Sequence, residues 1–197
     1  MAANLRAVCV FCASAPGVGE TWAQAARAFA RELLHRKLAL VYGGSQQGLM
    51  GVVADTVLQG GGRVVGVMPT SLVQHEVAHQ GLAKLHVVDT LAERKALMAD
   101  LSDAFVALPG GYGTLDELGD MLAAQQLGLH HKPVGVLNTN GYYDSLITFL
   151  DHAVGCGFIR PPSRARLQLA ADSATLLDAL EHANLNAAEP GRSERSH

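Results

Sequence analysis

Ala104-Phe105-Val106-Ala107-Leu108 runs straight into Pro109-Gly110-Gly111-Tyr112-Gly113-Thr114-Leu115-Asp116-Glu117. The first five residues are apolar without alternation, as in a strand covered on both faces, and Pro-Gly-Gly ends the run before a stretch with helical spacing. The same order of strand, loop and helix recurs along the chain. Strands are expected at 6–12, 38–42, 63–67, 84–88, 104–108, 134–137 and 167–170, and helices at 20–36, 48–59, 91–101, 114–127, 142–154 and 174–183, with a short helix at 71–78. Such alternation builds a parallel sheet with helices on both faces, a doubly wound α/β domain of about seven strands. Trp22, Ala25, Ala26, Phe29 and Leu33 make a one-sided apolar stripe suited to packing on that sheet.

Composition narrows the function. The 197 residues are 49% apolar, enough for one substantial core, and neither a repeat nor an internal linker interrupts them. One Rossmann-like domain is expected over 1–183, followed by a polar, flexible tail over 184–197. Fifteen Lys plus Arg against eighteen Asp plus Glu leave a net charge of −3, which argues against nucleic acid as a partner. No apolar run approaches the roughly 20 residues of a bilayer span, and no signal peptide is recognisable, so a cytoplasmic protein without a membrane partner is expected.

Two motifs invite metal readings. Cys9 and Cys12 have CxxC spacing, but residues three apart on a strand point to opposite faces, so both thiols are expected to be structural. His75-Glu76-Val77-Ala78-His79 matches the zinc-protease pattern HExxH. The extended form of that motif needs Gly at 82 and His at 85, whereas the chain has Gly81 and His86, and no third ligand is marked. No metal and no cofactor are expected.

In an open parallel sheet, ligands sit beyond the carboxyl ends of the strands. Three of those ends carry small residues: Ala13-Ser14-Ala15-Pro16-Gly17, then Gly43-Gly44-Ser45-Gln46-Gln47-Gly48, then Gly110-Gly111-Tyr112-Gly113-Thr114. Glycine turns that open helices offer unpaired N–H groups and the positive end of a helix dipole to a phosphate. Neither of the two glycine-rich loops ends in Lys-Ser/Thr like a Walker A, and neither follows the first strand like a dinucleotide fingerprint. Thr114 can cap the third loop's helix, and Glu117 then has two readings: the far partner of a Thr114-x-x-Glu117 capping box, or a carboxylate beside a phosphate site. Arg94, just after the fourth strand, can reach the same mouth with a permanently charged donor fork, or stand solvated on its helix. A carboxylate and an arginine beside a phosphate anchor suit cleavage of a nucleotide's N-glycosidic bond, which builds positive charge on the ribose.

From Phe11 to about Ile159 the sequence resembles the Lonely Guy family, the cytokinin riboside 5′-monophosphate phosphoribohydrolases often labelled lysine decarboxylases. The resemblance rests on the 109–117 run, which fits PGGxGTxxE, on Glu93-Arg94-Lys95, on Gly48-Leu49-Met50-Gly51 and on His130-His131-Lys132-Pro133-Val134-Gly135. It implies Arg94 and Glu117 as the catalytic pair, Gly110 through Thr114 as the phosphate loop, and Glu76 and Lys95 as residues lining the nucleotide site. It also implies a nucleoside monophosphate as the small-molecule partner. Leu91-Ala92 stand where the family often has Met-His, Ala123-Ala124 where it has Thr-Trp, and Ser45 where it has glycine. These departures bear on the base pocket. The decarboxylase label implies a Schiff-base lysine in a Ser-x-His-Lys setting; His131-Lys132 lacks the serine. The alternative to an enzyme is a carrier on a related fold, as in molybdenum-cofactor carriers. A homodimer or larger assembly is expected as well, because Leu97, Met98, Leu101, Leu118, Met121 and Leu122 offer more apolar surface than one sheet face covers.

Overall fold

Alternate residues of the first strand feed two different cores. Val8, Val10 and Cys12 pack on one side, Cys9 and Phe11 on the other. The structure, a computed structural model, describes residues 5–73, 78–82 and 84–188. In chain order the elements are β1 (Ala7–Phe11), α1 (Thr21–His35), β2 (Ala39–Tyr42), α2 (Gly48–Gln59), β3 (Val64–Pro69), α3 (Thr70–Val73), β4 (Lys84–Val88), α4 (Leu91–Asp100), β5 (Ala104–Ala107), α5 (Tyr112–Gln126), β6 (Val134–Leu137), α6 (Asp144–Gly155), α7 (Pro161–Ala165), β7 (Leu167–Ala170) and α8 (Ser173–Ala188). The seven strands form one sheet in the order β4-β3-β2-β1-β5-β6-β7, every pair parallel. Helices α1, α2 and α8 cover one face, and α4, α5 and α6 the other. Arg36 ties α1 to α8 through Glu32 at 2.8 Å, Asp178 at 2.7 Å and Glu181 at 3.2 Å.

The strand order reverses beside β1. The chain winds outward through β2, β3 and β4, then returns to place β5 on the other side of β1. Phe11 pairs with Ala107, so the loops leaving β1 and β5 start side by side and then diverge. That divergence opens a crevice at the carboxyl edge of the sheet, the usual ligand position in such folds.

Several expectations change. Helix α8 runs five residues past the expected end at 183, because Asn184-Leu185-Asn186-Ala187-Ala188 contains no breaker before Pro190. Residues 189–197 of the expected tail lie outside the described residues. Helix α7 falls between 154 and 167, where no element is expected; proline is favoured in a helix's first turn, where its missing N–H is no loss. Of the short helix expected at 71–78, residues 71–73 lie in α3, Ala78 instead forms an isolated antiparallel bridge with Ser45, and 74–77 lie outside the described residues. The apolar side chains expected to demand a partner are mostly spent internally. Met98, Leu118 and Met121 are buried in the α4–α6 core, and Leu97, Leu101 and Leu122 pack against it. No helix among the described residues is long and apolar enough to cross a membrane.

Candidate active site

The crevice at the strand reversal narrows to a cleft of about 230 Å³. One wall is Cys12, Ala13, Ser14 and Ala15 after β1; the other is Gly111, Tyr112, Gly113, Thr114 and Glu117; Arg94 and Met50 also line it. Helix α5 begins two residues earlier than its sequence suggested. Its N-cap is Gly111, which supplies no side-chain cap, so the first-turn amides of Tyr112, Gly113 and Thr114 stand at the cleft with no intrahelical partners. Thr114 therefore occupies the third helical position rather than the cap, and the Thr114-x-x-Glu117 capping box does not exist. Thr114 is instead buried against Gly110, where a Cβ would run into its hydroxyl.

A variant of the capping box opens the preceding helix, with the glutamate bonding the N–H one residue before the N-cap Thr90. Thr90 Oγ1 accepts from Glu93 N at 3.1 Å, and Glu93 Oε2 accepts from Asp89 N at 3.0 Å. This fixes the start of α4 and aims Arg94 inward. Arg94 is 7% exposed. Its Nε donates to Val67 O at 3.2 Å, its Nη2 donates to Gly43 O at 3.3 Å, and Nη2 stands 3.9 Å from Glu117 Oε1. Any Cβ at Gly43 would fall inside the guanidinium, so glycine there is what admits the arginine. Neutral carbonyls hold two faces of the fork, and the remainder is open to the cleft.

The first glycine loop, 43–48, leads into α2. The amides that open α2, Leu49 N and Met50 N, are taken by Ala13 O at 3.0 and 3.3 Å, and Gln47 N donates to Ser45 Oγ at 3.1 Å. Gly44 O accepts from His79 N at 2.9 Å, and Gly48 packs on the Ser14 backbone. Gly43 O accepts from Arg94, and none of Gly43, Gly44, Ser45 and Gly48 is among the residues lining the cleft. Lys95 is not in the cleft either; Asp120 at 2.5 Å and Asp116 at 3.0 Å hold its ammonium against α5 and keep it charged.

Glu76 and His75 lie outside the described residues. His79 is engaged on both ring nitrogens, Nε2 with Asp55 at 3.0 Å and Nδ1 accepting from Gly81 N at 3.0 Å. Lys132, the lysine of the decarboxylase reading, precedes β6 at the opposite edge of the sheet and donates to Ala99 O at 2.7 Å. Burial, reinforced by the Glu117 charge, pushes the Cys12 thiol well above its usual range, so this part of the cleft wall is a protonated thiol. Sequence reasoning missed two residues near the site. Tyr142 and Tyr143 follow the turn Asn138-Thr139-Asn140-Gly141, and their hydroxyls donate to Gly110 O at 2.6 Å and Leu108 O at 2.7 Å. The Asn-Gly turn signal was visible in the sequence; its partners were not.

Residues 50–180 match the family model described as "Possible lysine decarboxylase". A protein of Oryza sativa subsp. japonica, named a probable cytokinin riboside 5′-monophosphate phosphoribohydrolase, is 50% identical over 178 residues, 90% of this chain and 78% of that one. The chain belongs to the Lonely Guy family. Two further relatives carry the name cytokinin riboside 5′-monophosphate phosphoribohydrolase. The one from Rhodococcoides fascians is 48% identical over 85% of each chain, and one from Arabidopsis thaliana is 47% identical over 90% of this chain and 78% of that one. Solved structures share this Lonely Guy protein's fold at low identity. The Moco carrier protein of Chlamydomonas reinhardtii superposes with a TM-score of 0.68 at 22% identity, covering 93% of this chain and 99% of that one. The molybdenum cofactor binding protein of Rippkaea orientalis gives 0.67 at 20%, covering 90% and 96%.

Proposed function

We propose that this protein hydrolyses the N-glycosidic bond of N6-substituted adenosine 5′-monophosphates, releasing the free base and ribose 5-phosphate. The observation that supports it most is the pair formed by buried Arg94 and half-buried Glu117, 3.9 Å apart, beside the uncapped start of α5. In this reading the amides of Gly111 through Thr114 hold the 5′-phosphate with the help of the helix dipole, and Gly110 gives Thr114 its place. The phosphate then sets the ribose against Glu117, whose negative charge stabilises the cationic sugar as the C1′–N9 bond breaks. Water adds at C1′ and its proton goes to the departing base. Arg94, free of strong internal neutralisation except by Glu117, orients the carboxylate and offers donors to ribose or phosphate. Lys95 acts only indirectly, by pinning α4 to α5.

Purified protein is expected to convert N6-isopentenyl-AMP to isopentenyladenine and ribose 5-phosphate without added metal or cofactor. The corresponding nucleoside should be at least roughly tenfold poorer in kcat/KM, because the helix N-terminus finds no phosphate to hold. Product chromatography checks both statements. Equal turnover of nucleotide and nucleoside, or loss of activity with a chelator and rescue by zinc, would overturn the assignment.

A homodimer or larger assembly is also proposed, on grounds different from those the sequence suggested. The α4–α6 face leaves Leu127, Leu129, Phe149 and Phe158 at 62 to 84% exposure, with one apolar groove between α4 and α5 and another between α5 and the α6–α7 region. Single exposed apolar residues are ordinary, but grooves flanked by four such large side chains suit a self-complementary contact. Multi-angle light scattering at micromolar concentration is expected to report a dimer or a multiple of it; a monomer of 20.7 kDa would refute this.

A further inference from the structure

Glycine has little intrinsic preference for one backbone direction, and the 109–113 loop contains three glycines at the point where amides must be aimed. Support from outside the loop is therefore needed. The 3-10 turn Thr139–Gly141 after β6 provides it, held by Asn138, whose Oδ1 accepts from Tyr143 N at 2.7 Å and whose Nδ2 donates to Asp144 at 2.7 Å. Asn140 adopts a left-handed φ of 50° there, which asparagine tolerates. The turn delivers two consecutive tyrosines. The buried Tyr143 hydroxyl, which burial keeps protonated, donates to Leu108 O at 2.7 Å, and the Tyr142 hydroxyl donates to Gly110 O at 2.6 Å. The two bonds bracket Pro109.

A trans peptide is planar, so holding the Gly110 carbonyl also sets the direction of the Gly111 N–H on the opposite side of the same unit. Gly111 lines the cleft and caps α5. Tyr142 is braced in turn: Trp22 meets its ring edge-on at 5.4 Å, and Tyr143 does so at 5.0 Å. Trp22 packs on Gly17, in the loop whose Ser14 and Ala15 form the facing wall. One aromatic cluster thus spans both sides of the cleft.

We propose that Tyr142 and Tyr143 are positioning residues that hold the Gly110–Gly111 peptide so that the amides opening α5 face the substrate's 5′-phosphate. The inference rests on the nucleotide reading given above. Tyr142 is 43% exposed, so Tyr142→Phe keeps the aromatic packing and removes only the hydroxyl bond. Its expected effect is a rise in KM for N6-isopentenyl-AMP of roughly five- to tenfold with kcat changed less than about twofold. The nucleoside, having no phosphate to be held, should lose far less, so the nucleotide-over-nucleoside preference shrinks by about the same factor. A brace that merely stabilised the fold would lower both substrates together, and the melting temperature with them. Tyr143→Phe, buried, should lower the melting temperature as well as the preference. If the wild type turns over the nucleotide and Tyr142→Phe retains the full preference, the positioning role is wrong and the reaction assignment stands. If the wild type shows neither turnover nor phosphate preference, both fall.

Discussion

Glu117→Gln is expected to reduce kcat by roughly 100-fold or more while leaving the melting temperature and nucleotide binding nearly unchanged. The substitution is isosteric and removes only the charge. A Glu117 that only closed a capping box would leave both stability and turnover nearly intact in the same variant, capping being worth about 1 kcal/mol at most. The structure separates the two, because Gly111 is the cap and Glu117 lies in the second turn of α5, facing Arg94. The guanidinium keeps its carbonyl acceptors at Val67 and Gly43 in the variant, so it has no reason to move. Besides the 3.9 Å ion pair with Arg94, what is lost is the stabilisation of a cationic sugar. Near-normal kcat measured under saturating N6-isopentenyl-AMP would remove Glu117 from catalysis, whereas a wild type that binds the nucleotide without turning it over would leave a nucleotide-carrier role as the better account of the cleft.

The second large effect comes from a residue that never touches the cleft. Gly43→Ala puts a methyl where the Arg94 guanidinium lies, and the arginine cannot withdraw, because α4 is fixed at its start by Thr90 and Glu93. The side chain must swing away from Gly43 O and with it from Glu117. Arg94→Ala is expected to lower kcat/KM by roughly two to three orders of magnitude, and Gly43→Ala to come within about tenfold of that loss. The stability costs should differ. Arg94→Ala leaves Glu117 without its nearby countercharge and two carbonyls short of a donor, about 1–3 kcal/mol; Gly43→Ala retains the charge in a displaced position. Steady-state kinetics and thermal melts of the two variants test this, and a fully active Gly43→Ala beside an inactive Arg94→Ala would mean that the carbonyl of Gly43 does not set the arginine's working position.

How much of the site was legible in the sequence depended on the distance over which each decision is made. Arg94, Glu117 and the glycines of 110–113 could be picked out because charge and glycine are conspicuous at strand ends. The role of the first glycine loop could not, because Gly43 acts through a contact 51 residues away and its neighbouring amides are consumed by Ala13, on another strand's loop. Tyr142 and Tyr143 looked like the start of an amphipathic helix, and their partners lie 32 and 35 residues earlier.

By itself the sequence determined the elements and their class. Apolar runs of strand length must be buried on both faces, amphipathic stretches between them must cover those faces, and the strands expected at 84–88, 134–137 and 167–170 are β4, β6 and β7 without a shift. The same local rule sent Cys9 and Cys12 into separate cores, since strand side chains alternate whatever the neighbours are. Only the tertiary structure decided that β5 lies beside β1, and hence where the cleft opens. It also decided where α5 starts, that Lys95 turns to α5 while Arg94 turns inward, and that Gly43 exists to admit a guanidinium. Period and propensity are properties of neighbouring residues, but strand order and the meeting of a carbonyl with a side chain from another layer depend on how whole elements share one core. No short window of sequence contains that information.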